Sequence, residues 1–440
     1  MLSTDRIPAW PEDLTPYCFE VPYSEDSVLF ERSKGIRLTD TAGRSYIDSL
    51  SGVFVTCFGY SCEPIIDAVA RQLRTMPFNP PLHGTNPAAL RLCDGLARLA
   101  PDGLNTVKLV NGGSEAVEAA VRLVRLTQRE SGQSGRYKML SYYHGYHGAT
   151  FGSLSLTGRP DVSRFGPGLP GAVHVWSPDM LAEVHGTDPE ESGRLAAEMI
   201  ERTIEAEGAD SVAGLVIEPV IHLRGMAISP PGYLERVREI CDRYGVLLVF
   251  DEIVTGFGRT GRPFAAQSFG VTPDLMCVGK GISGGYAPLA AVVFNDRVAS
   301  VLSDGSGPAS FAPSHTYAAN PLAAAAGLAS VTHFTEGGFP DRNSALAAGF
   351  TDRLTRAVGD RGDLRSIGLL YGVKLRPLPS DPEGSAGETV ASACLERGLL
   401  LRGQDDWLTL APAFVTTPEE TEEICGTFGD VLDKVYGSRL

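Results

Sequence analysis

Several features that would place the protein in a particular class are missing from its sequence. Its 440 residues contain no cluster of lysine and arginine, and the formal net charge is −15. We therefore do not expect nucleic acid or an anionic membrane surface as a partner. No apolar run approaches the length needed to cross a bilayer, and we expect no secretory signal at the N-terminus. These observations predict a protein that works in the cytoplasm.

Disulfide and metal-binding patterns are also missing. The eight cysteines are scattered and form no C-x-x-C motif. In a chain of this length such cysteines are typical of reduced, mainly buried thiols in a cytoplasmic protein. The eight histidines show no metal-ligand spacing with them, so we expect no metal site.

The order of apolar and polar segments predicts the fold. From Asn105, short apolar runs alternate with helical patterns, which indicates a mostly parallel sheet covered by helices on both faces. After about residue 335 the pattern changes to short strands and helices. We predict an α/β fold with a large domain over 56–334. A smaller α+β domain would combine an N-terminal segment (1–55) with the C-terminal region (335–440).

The central stretch carries an acid and a lysine at strand ends. The apolar run Val246–Phe250 is followed by Asp251, and the run Leu275–Val278 ends shortly before Lys280. Ligands bind at this edge of open α/β sheets, and a desolvated lysine there is a nucleophile. Pyridoxal phosphate needs such an amine and an acid for its ring nitrogen. The alternative is an ordinary buried aspartate and an ordinary surface lysine.

A glycine pattern in the same stretch supports a different cofactor. Residues 256–261 fit G-x-G-x-x-G, the dinucleotide-binding pattern. However, five residues separate the strand from the first glycine, and no helical pattern follows. Asp274 precedes its strand, whereas the acid that binds ribose ends one. A nicotinamide-dependent oxidoreductase is therefore the disfavoured alternative.

Four other segments have residues suited to a cofactor site. Gly113 and Ser114 lie between a strand and a helix, where free amides bind phosphate, although Ser114 could simply cap the helix. Tyr146 follows a strand end, where its ring could stack on a planar cofactor or simply pack. Glu218 ends another strand. Thr316 precedes a helix of small residues, and its hydroxyl could reach a phosphate or begin that helix.

Together these segments resemble the class III (omega-type) pyridoxal-phosphate aminotransferases of fold type I. The most specific matches are FDEIVTGFGRTG at 250–261 and PDLMCVGKGISGGYAPLAA at 273–291. NGGSEAVEAA, YHGATFGSLSLTG, VIEP and HTYAANPLAAAA occur in the order that the family shows. The resemblance implies an enzyme that moves an amino group from a primary amine or omega-amino compound to pyruvate or 2-oxoglutarate. It also implies ping-pong kinetics and a homodimer that shares its active sites.

The resemblance implies a role for each matching residue. Lys280 would form the Schiff base with pyridoxal 5′-phosphate in the large domain and carry the proton. Asp251 would pair with the pyridine nitrogen, between Ile253 below the ring and Tyr146 above it. The remaining matches are the phosphate-binding Gly113 and Ser114, His147 beside the cofactor, the supporting acid Glu218, and Thr316 from the neighbouring subunit.

Departures from the family pattern concern the substrate. Members that act on ornithine or aminobutyrate carry a Glu–Arg pair where this chain has Leu223 and Thr409. Arg402 falls where amine–pyruvate enzymes have a mobile arginine, which would bind a carboxylate. Phe54 stands where those enzymes often have tryptophan. An aminomutase or racemase on the same scaffold is the alternative enzyme, and a catalytically silent binding protein is a further one.

Overall fold

The computed structural model describes residues 28–81, 83–303, 315–378 and 384–437. Residues 1–27 of the predicted N-terminal segment, and residues 379–383 and 438–440 of the predicted C-terminal domain, lie outside this description. Within the described residues, no helix is both long and apolar enough to cross a membrane.

The strands are β1 (Phe30–Lys34), β2 (Arg37–Asp40), β3 (Ser45–Asp48), β4 (Leu104–Val110), β5 (Lys138–Tyr142), β6 (Ala172–Val175), β7 (Val212–Ile217), β8 (Val220–Ile221), β9 (Ala227–Ile228), β10 (Leu247–Asp251), β11 (Leu275–Val278), β12 (Ala290–Asn295), β13 (Gly362–Ile367), β14 (Leu370–Leu375), β15 (Leu399–Leu400), β16 (Arg402–Gln404) and β17 (Trp407–Leu410). The helices are α1 (Ser51–Phe54, a single left-handed turn), α2 (Glu63–Thr75), α3 (Pro87–Leu99), α4 (Gly113–Glu130), α5 (Phe151–Leu156), α6 (Pro178–His185), α7 (Pro189–Glu207), α8 (Tyr233–Tyr244), α9 (Ala265–Phe269), α10 (Asp296–Ser303), α11 (Pro321–Glu336), α12 (Phe339–Val358), α13 (Ala386–Glu396) and α14 (Pro418–Gly437).

A seven-stranded sheet forms the centre of the large domain, with the order β4-β12-β11-β10-β7-β5-β6. Its strands are parallel except β12, which runs antiparallel to both neighbours. Every residue of β10 is buried because helices cover both faces. Leu248 and Phe250 pack with α7 and α8, whereas Leu247 and Val249 pack with α4. The predicted α/β class with a mostly parallel, helix-covered sheet is confirmed.

The strand directions collect the carboxyl ends of β4, β5, β7, β10 and β11 at one edge of the sheet. Strand β10 is parallel to β7 and β11, and β5 is parallel to β7. Because β12 is antiparallel to both β11 and β4, those two strands also run in the same direction. The segments that follow these strands therefore meet at this edge, where ligands bind in such sheets.

The smaller α+β part of the molecule uses both ends of the chain. Strand β15 pairs in parallel with β3, so the C-terminal region completes the sheet β1-β2-β3-β15. A second sheet, β13-β14-β17-β16, is antiparallel and packs on α12, α13 and α14. The predicted small α+β domain is thus present, while its boundaries at residues 55 and 335 stay predictions.

A left-handed turn, Ser51–Phe54, connects the small part to the sheet edge. Its four residues have φ between 51° and 70°, a conformation that costs roughly 1–2 kcal/mol for each residue with a side chain. Asp48 holds the turn by accepting hydrogen bonds from Leu50 N (2.9 Å), Gly52 N (2.6 Å) and Tyr60 Oη (2.7 Å). These contacts fix the position of Phe54.

Gly372 of β14 lies where the small α+β part packs against the segment around Gly225. A Cβ atom at Gly372 would lie 2.1 Å from the backbone oxygen of Gly225. Since that neighbour is backbone, we expect Gly372→Ala to lower the free energy of unfolding by about 1–3 kcal/mol. Gly426, an exposed residue of α14 with open space around it, is the matched control. Gly426→Ala should leave stability equal or raise it by up to about 1 kcal/mol.

Urea unfolding of both variants measures the difference. Equal stability of Gly372→Ala and wild-type protein would contradict the close approach of the two backbones.

Candidate active site

A cavity of about 180 Å³ lies at the carboxyl edge of the large sheet. Its wall contains all of the predicted site residues except Thr316, Phe54 and Arg402. The lining residues are Gly113, Ser114, Tyr146, His147, Gly148, Glu218, His222, Asp251, Ile253, Val254 and Lys280. The fold therefore brings residues from five strand ends into one site.

Asp251 and His147 form a buried pair on the cavity wall. Asp251 Oδ2 lies 2.8 Å from His147 Nδ1, and Asp251 Oδ1 accepts a hydrogen bond from Ile253 N at 3.1 Å. Burial alone would lower the pKa of the His147 imidazole, but the hydrogen bond and charge of Asp251, with the charge of Glu218, raise it above 6.5. This pairing suits an ionised Asp251 carboxylate, which can hold a protonated ring nitrogen.

The Lys280 amine is a candidate nucleophile on the cavity wall. Burial lowers its pKa from the ordinary 10.5; the charges of Asp251 and Glu218 oppose this effect, and that of Arg402 adds to it. No residue in the described parts of the chain forms a hydrogen bond or ion pair with the amine. Lys280 also has a left-handed backbone (φ 46°), as residues held in place at functional sites often do.

The start of α4 forms an end of the cavity that suits an anion. No side chain caps the helix at Gly112, so the first backbone N–H groups remain available for a ligand. Ser114 Oγ accepts a hydrogen bond from Ala149 N at 3.0 Å, which leaves its own proton for a ligand. A Cβ atom at Gly113 would lie 2.9 Å from Ile253, and one at Gly148 would lie 2.6 Å from Ser114 Oγ. Glycine at both positions thus keeps this end open.

Glu218 supports the wall that contains Tyr146. Its Oε1 accepts a hydrogen bond from Tyr146 N at 2.9 Å, and its Oε2 lies 2.6 Å from His222 Nδ1. Burial alone would raise the pKa of Glu218, but the charge that His222 carries when protonated, its hydrogen bond and the charge of His147 lower it below 4.5. Glu218 is therefore an ionised carboxylate that fixes the backbone of Tyr146 and the ring of His222.

Three predicted residues lie outside the cavity wall. The Phe54 ring is buried, with its centroid 5.8 Å from Lys280 Nζ. Arg402 is half-buried, and its Nη2 donates to Gln404 Oε1 at 3.1 Å. Burial lowers the pKa of Arg402, and the charge of Arg159 adds to this effect. Thr316 is exposed in the turn before α11.

The sequence did not point to His222 or Val254, although both line the cavity. His222 follows the two-residue strand β8 and begins a 3₁₀ helix of three residues, His222–Arg224, which is too short for a periodicity to place it. Its spacing of four residues from Glu218 was the only available signal. Such a spacing indicates a contact only within a helix.

Comparison with known proteins gives consistent matches over most of the chain. The family model for class-III aminotransferases matches residues 19–432. A probable aminotransferase of Mycobacterium tuberculosis is 37% identical over 407 residues, covering 89% of this chain and 87% of that protein. An omega-amino acid–pyruvate aminotransferase of Pseudomonas putida is 32% identical over 427 residues, covering 96% and 95%. The omega transaminase of Pseudomonas jessenii in complex with PMP has a TM-score of 0.91 at 27% identity, covering 98% and 99% of the two chains.

The charges around Lys280 predict shifts of opposite sign in its titration. Asp251 and Glu218 raise the pKa of the amine, whereas Arg402 lowers it. Asp251→Asn should therefore lower the pKa of Lys280 further, because the ammonium form loses a favourable charge. Arg402→Ala should raise that pKa, because the ammonium form loses an unfavourable one.

The pH dependence of reductive trapping of Lys280 by a small aldehyde, followed by peptide mass spectrometry of cofactor-free protein, measures both shifts. Arg397→Ala is the control, since this exposed arginine pairs with Asp430. Shifts of the same sign in Asp251→Asn and Arg402→Ala would contradict the charge arrangement.

Proposed function

Because the chain belongs to the class III aminotransferases, which use pyridoxal 5′-phosphate, we propose that it transfers amino groups from primary amines or omega-amino compounds to a keto acid. The acceptor would be pyruvate or 2-oxoglutarate, and the kinetics ping-pong. The observation that carries this proposal is one cavity that holds both the Lys280 amine, with its lowered pKa, and the Asp251–His147 pair.

The residues of the cavity fit pyridoxal 5′-phosphate in charge and chemistry. When bound, this group supplies an electrophilic carbon and an electron-withdrawing ring. The amides of Gly113 and Ser114 at the start of α4 suit its phosphate, because anions bind at helix N-termini. Asp251 suits its ring nitrogen, and the side chains of Tyr146 and Ile253 suit its two faces.

We assign the proton transfers to Lys280. Its lowered pKa keeps a larger fraction of the amine neutral near pH 7, so that Nζ can accept a proton from the carbon bearing the amino group and return it. Asp251, bound by His147 and the Ile253 amide, would keep the ring nitrogen of the cofactor protonated. The positive charge of that nitrogen makes the proton on the carbon acidic. Glu218 acts indirectly, by fixing Tyr146.

Arg402 and Phe54 are the proposed substrate-binding residues. Arg402 has no carboxylate partner among the described residues, although burying a guanidinium without one is unfavourable. Its charge lowers the pKa of Lys280, and we propose that it holds a substrate carboxylate beside the reacting carbon. The Pseudomonas putida relative is named for pyruvate, which carries such a carboxylate. Phe54 would limit the size of the substrate on the side of Lys280 that it covers.

We also propose a homodimer in which Thr316 completes the partner's site. The Thr316 hydroxyl is exposed and absent from the cavity wall of its own chain. A hydroxyl that binds the phosphate would then come from the neighbouring subunit.

The cytoplasm is the proposed location. The described cysteines are all free thiols, and most are buried, as in proteins of reducing compartments.

Lys280→Ala tests the proposed role of the lysine. Since the variant lacks both the nucleophile and the proton carrier, we expect amino transfer to fall by at least about a thousandfold. Borohydride should fix pyridoxal 5′-phosphate to wild-type protein and not to the variant. Transfer of labelled nitrogen from a donor amine to pyruvate measures the activity and separates aminotransfer from isomerisation.

The matched control is Lys374→Ala, because the Lys374 side chain is 44% exposed and does not line the cavity. It should retain wild-type activity. Wild-type rates in Lys280→Ala would refute the assignment.

Arg402→Ala tests the carboxylate-binding role. Losing a charge-assisted, two-point contact should raise the KM for pyruvate by about tenfold or more. The KM for an amine without a carboxylate should change less than about twofold, because such a donor makes no contact with the guanidinium. Steady-state kinetics with both substrates measure the two constants, and Arg397→Ala is again the surface control. Equal effects on both substrates would remove Arg402 from this role.

A further inference from the structure

The imidazole of His222 lines the cavity beside the rings of Tyr146 and Phe54. We propose that His222 Nε2 forms a hydrogen-bonding subsite that favours amino donors carrying a hydroxyl or a second amino group. This inference rests on the proposed function and adds a class of substrate to it.

The partner of Nδ1 determines which nitrogen of His222 remains available to a substrate. Glu218 Oε2 lies 2.6 Å from His222 Nδ1, and an ionised carboxylate can only accept a hydrogen bond. Nδ1 therefore carries the proton in the neutral ring. The lone pair then lies on Nε2, which becomes an acceptor for a donor group.

Nε2 has no partner within the part of the chain that the structure describes. Its ring lines the cavity, and the side chain is only 6% exposed. Nε2 is not among the fully buried atoms, so a substrate group in the cavity can reach it and donate a hydrogen bond. The other acid on the cavity wall, Asp251, is engaged by His147 and the Ile253 amide.

The surroundings of His222 place the subsite beside the reacting groups. Its ring meets Phe54 edge-on at 5.9 Å and Tyr146 edge-on at 5.7 Å. Phe54 in turn lies 5.8 Å from Lys280 Nζ. Phe54 also packs in one apolar cluster with Val254, another residue of the wall. A polar substituent of a donor amine would thus find its partner in this region at His222.

The turn that holds His222 is anchored on both sides. Arg224, two residues on, binds Asp179 at 2.7 Å and Glu183 at 2.5 Å. The backbone of Gly225 packs so closely on Trp407 that a Cβ atom there would lie 2.0 Å from the indole ring. A site held in this way loses little conformational freedom when a ligand binds. His222 therefore acts as a fixed acceptor.

The test compares two donors of equal size, 2-aminoethanol and propylamine, with the wild-type holoenzyme and excess pyruvate. The assays run at about pH 8.5, where free imidazole is neutral. We expect kcat/KM to be about fivefold to tenfold higher for 2-aminoethanol, the effect of about one hydrogen bond. A wild-type ratio at or below one would overturn the inference without any variant.

Two substitutions separate the acceptor from the packing of the ring. His222→Phe keeps an aromatic ring and removes Nε2, so the ratio should fall to about one. His222→Gln keeps an acceptor and should preserve part of the preference. His185→Phe is the matched control, since His185 is exposed at the end of α6, and it should show the wild-type ratio. If His222→Phe fails to bind the cofactor, the inference is tested by the ratios of the wild-type enzyme and of His222→Gln. A ratio at or below one in the wild-type enzyme would overturn it.

The remaining outcomes distinguish this inference from the function it rests on. An unchanged ratio in His222→Phe overturns the inference and leaves aminotransfer intact. A wild-type preference for β-alanine over butylamine that His222→Phe removes would show that Nε2 donates, and it would also overturn the inference. If neither amine of the first pair transfers its nitrogen, the proposed function and the inference both fail.

Discussion

The site depends on keeping a carboxylate ionised inside the protein. Removing a charge from water is costly, and only good partners compensate. Asp251 has two of them, the imidazole of His147 at 2.8 Å and the backbone amide of Ile253 at 3.1 Å. The same negative charge opposes the effect of burial on Lys280. The reactivity of the lysine is therefore set jointly by enclosure and by the acid.

The topology of the large sheet brings these groups together. Strands β10 and β11 are parallel neighbours, with Asp251 opposite Cys277, so Lys280 follows close to the acid. The single antiparallel strand β12 separates β11 from β4 and leaves the ends of both at one edge. The start of α4, which suits an anion, consequently lies at the same edge as the amine. Reversing β4, β10 or β11 would move the functional group that follows that strand to the opposite edge of the sheet.

Sequence patterns could predict the groups that depend on strand ends, because an apolar run marks both the strand and its terminus. The run Leu275–Val278 was predicted with the observed bounds of β11, and Lys280 follows it. Glu218, predicted at a strand end, directly follows β7. Strand β13 was missed because its residues, GDLRSI, are mostly polar and none is fully buried. The His147–Asp251 pair joins residues 104 positions apart, and no local pattern encodes such a contact. His222 was missed because its role depends on a turn without periodicity.

A ping-pong enzyme must admit two different substrates to one cavity, and the two proposed recognition groups, Arg402 and His222, differ in mobility. Among the described residues, the side chain of Arg402 hydrogen-bonds only to Gln404, two positions away on its own hairpin. It can move aside at little cost when the substrate carries no carboxylate. The ring of His222 cannot move aside in this way, because Glu218 holds it and Arg224 fixes its turn. A movable cation suits the carboxylate of the keto acid, which is present in one half of the cycle, whereas a fixed acceptor suits selection among the donors.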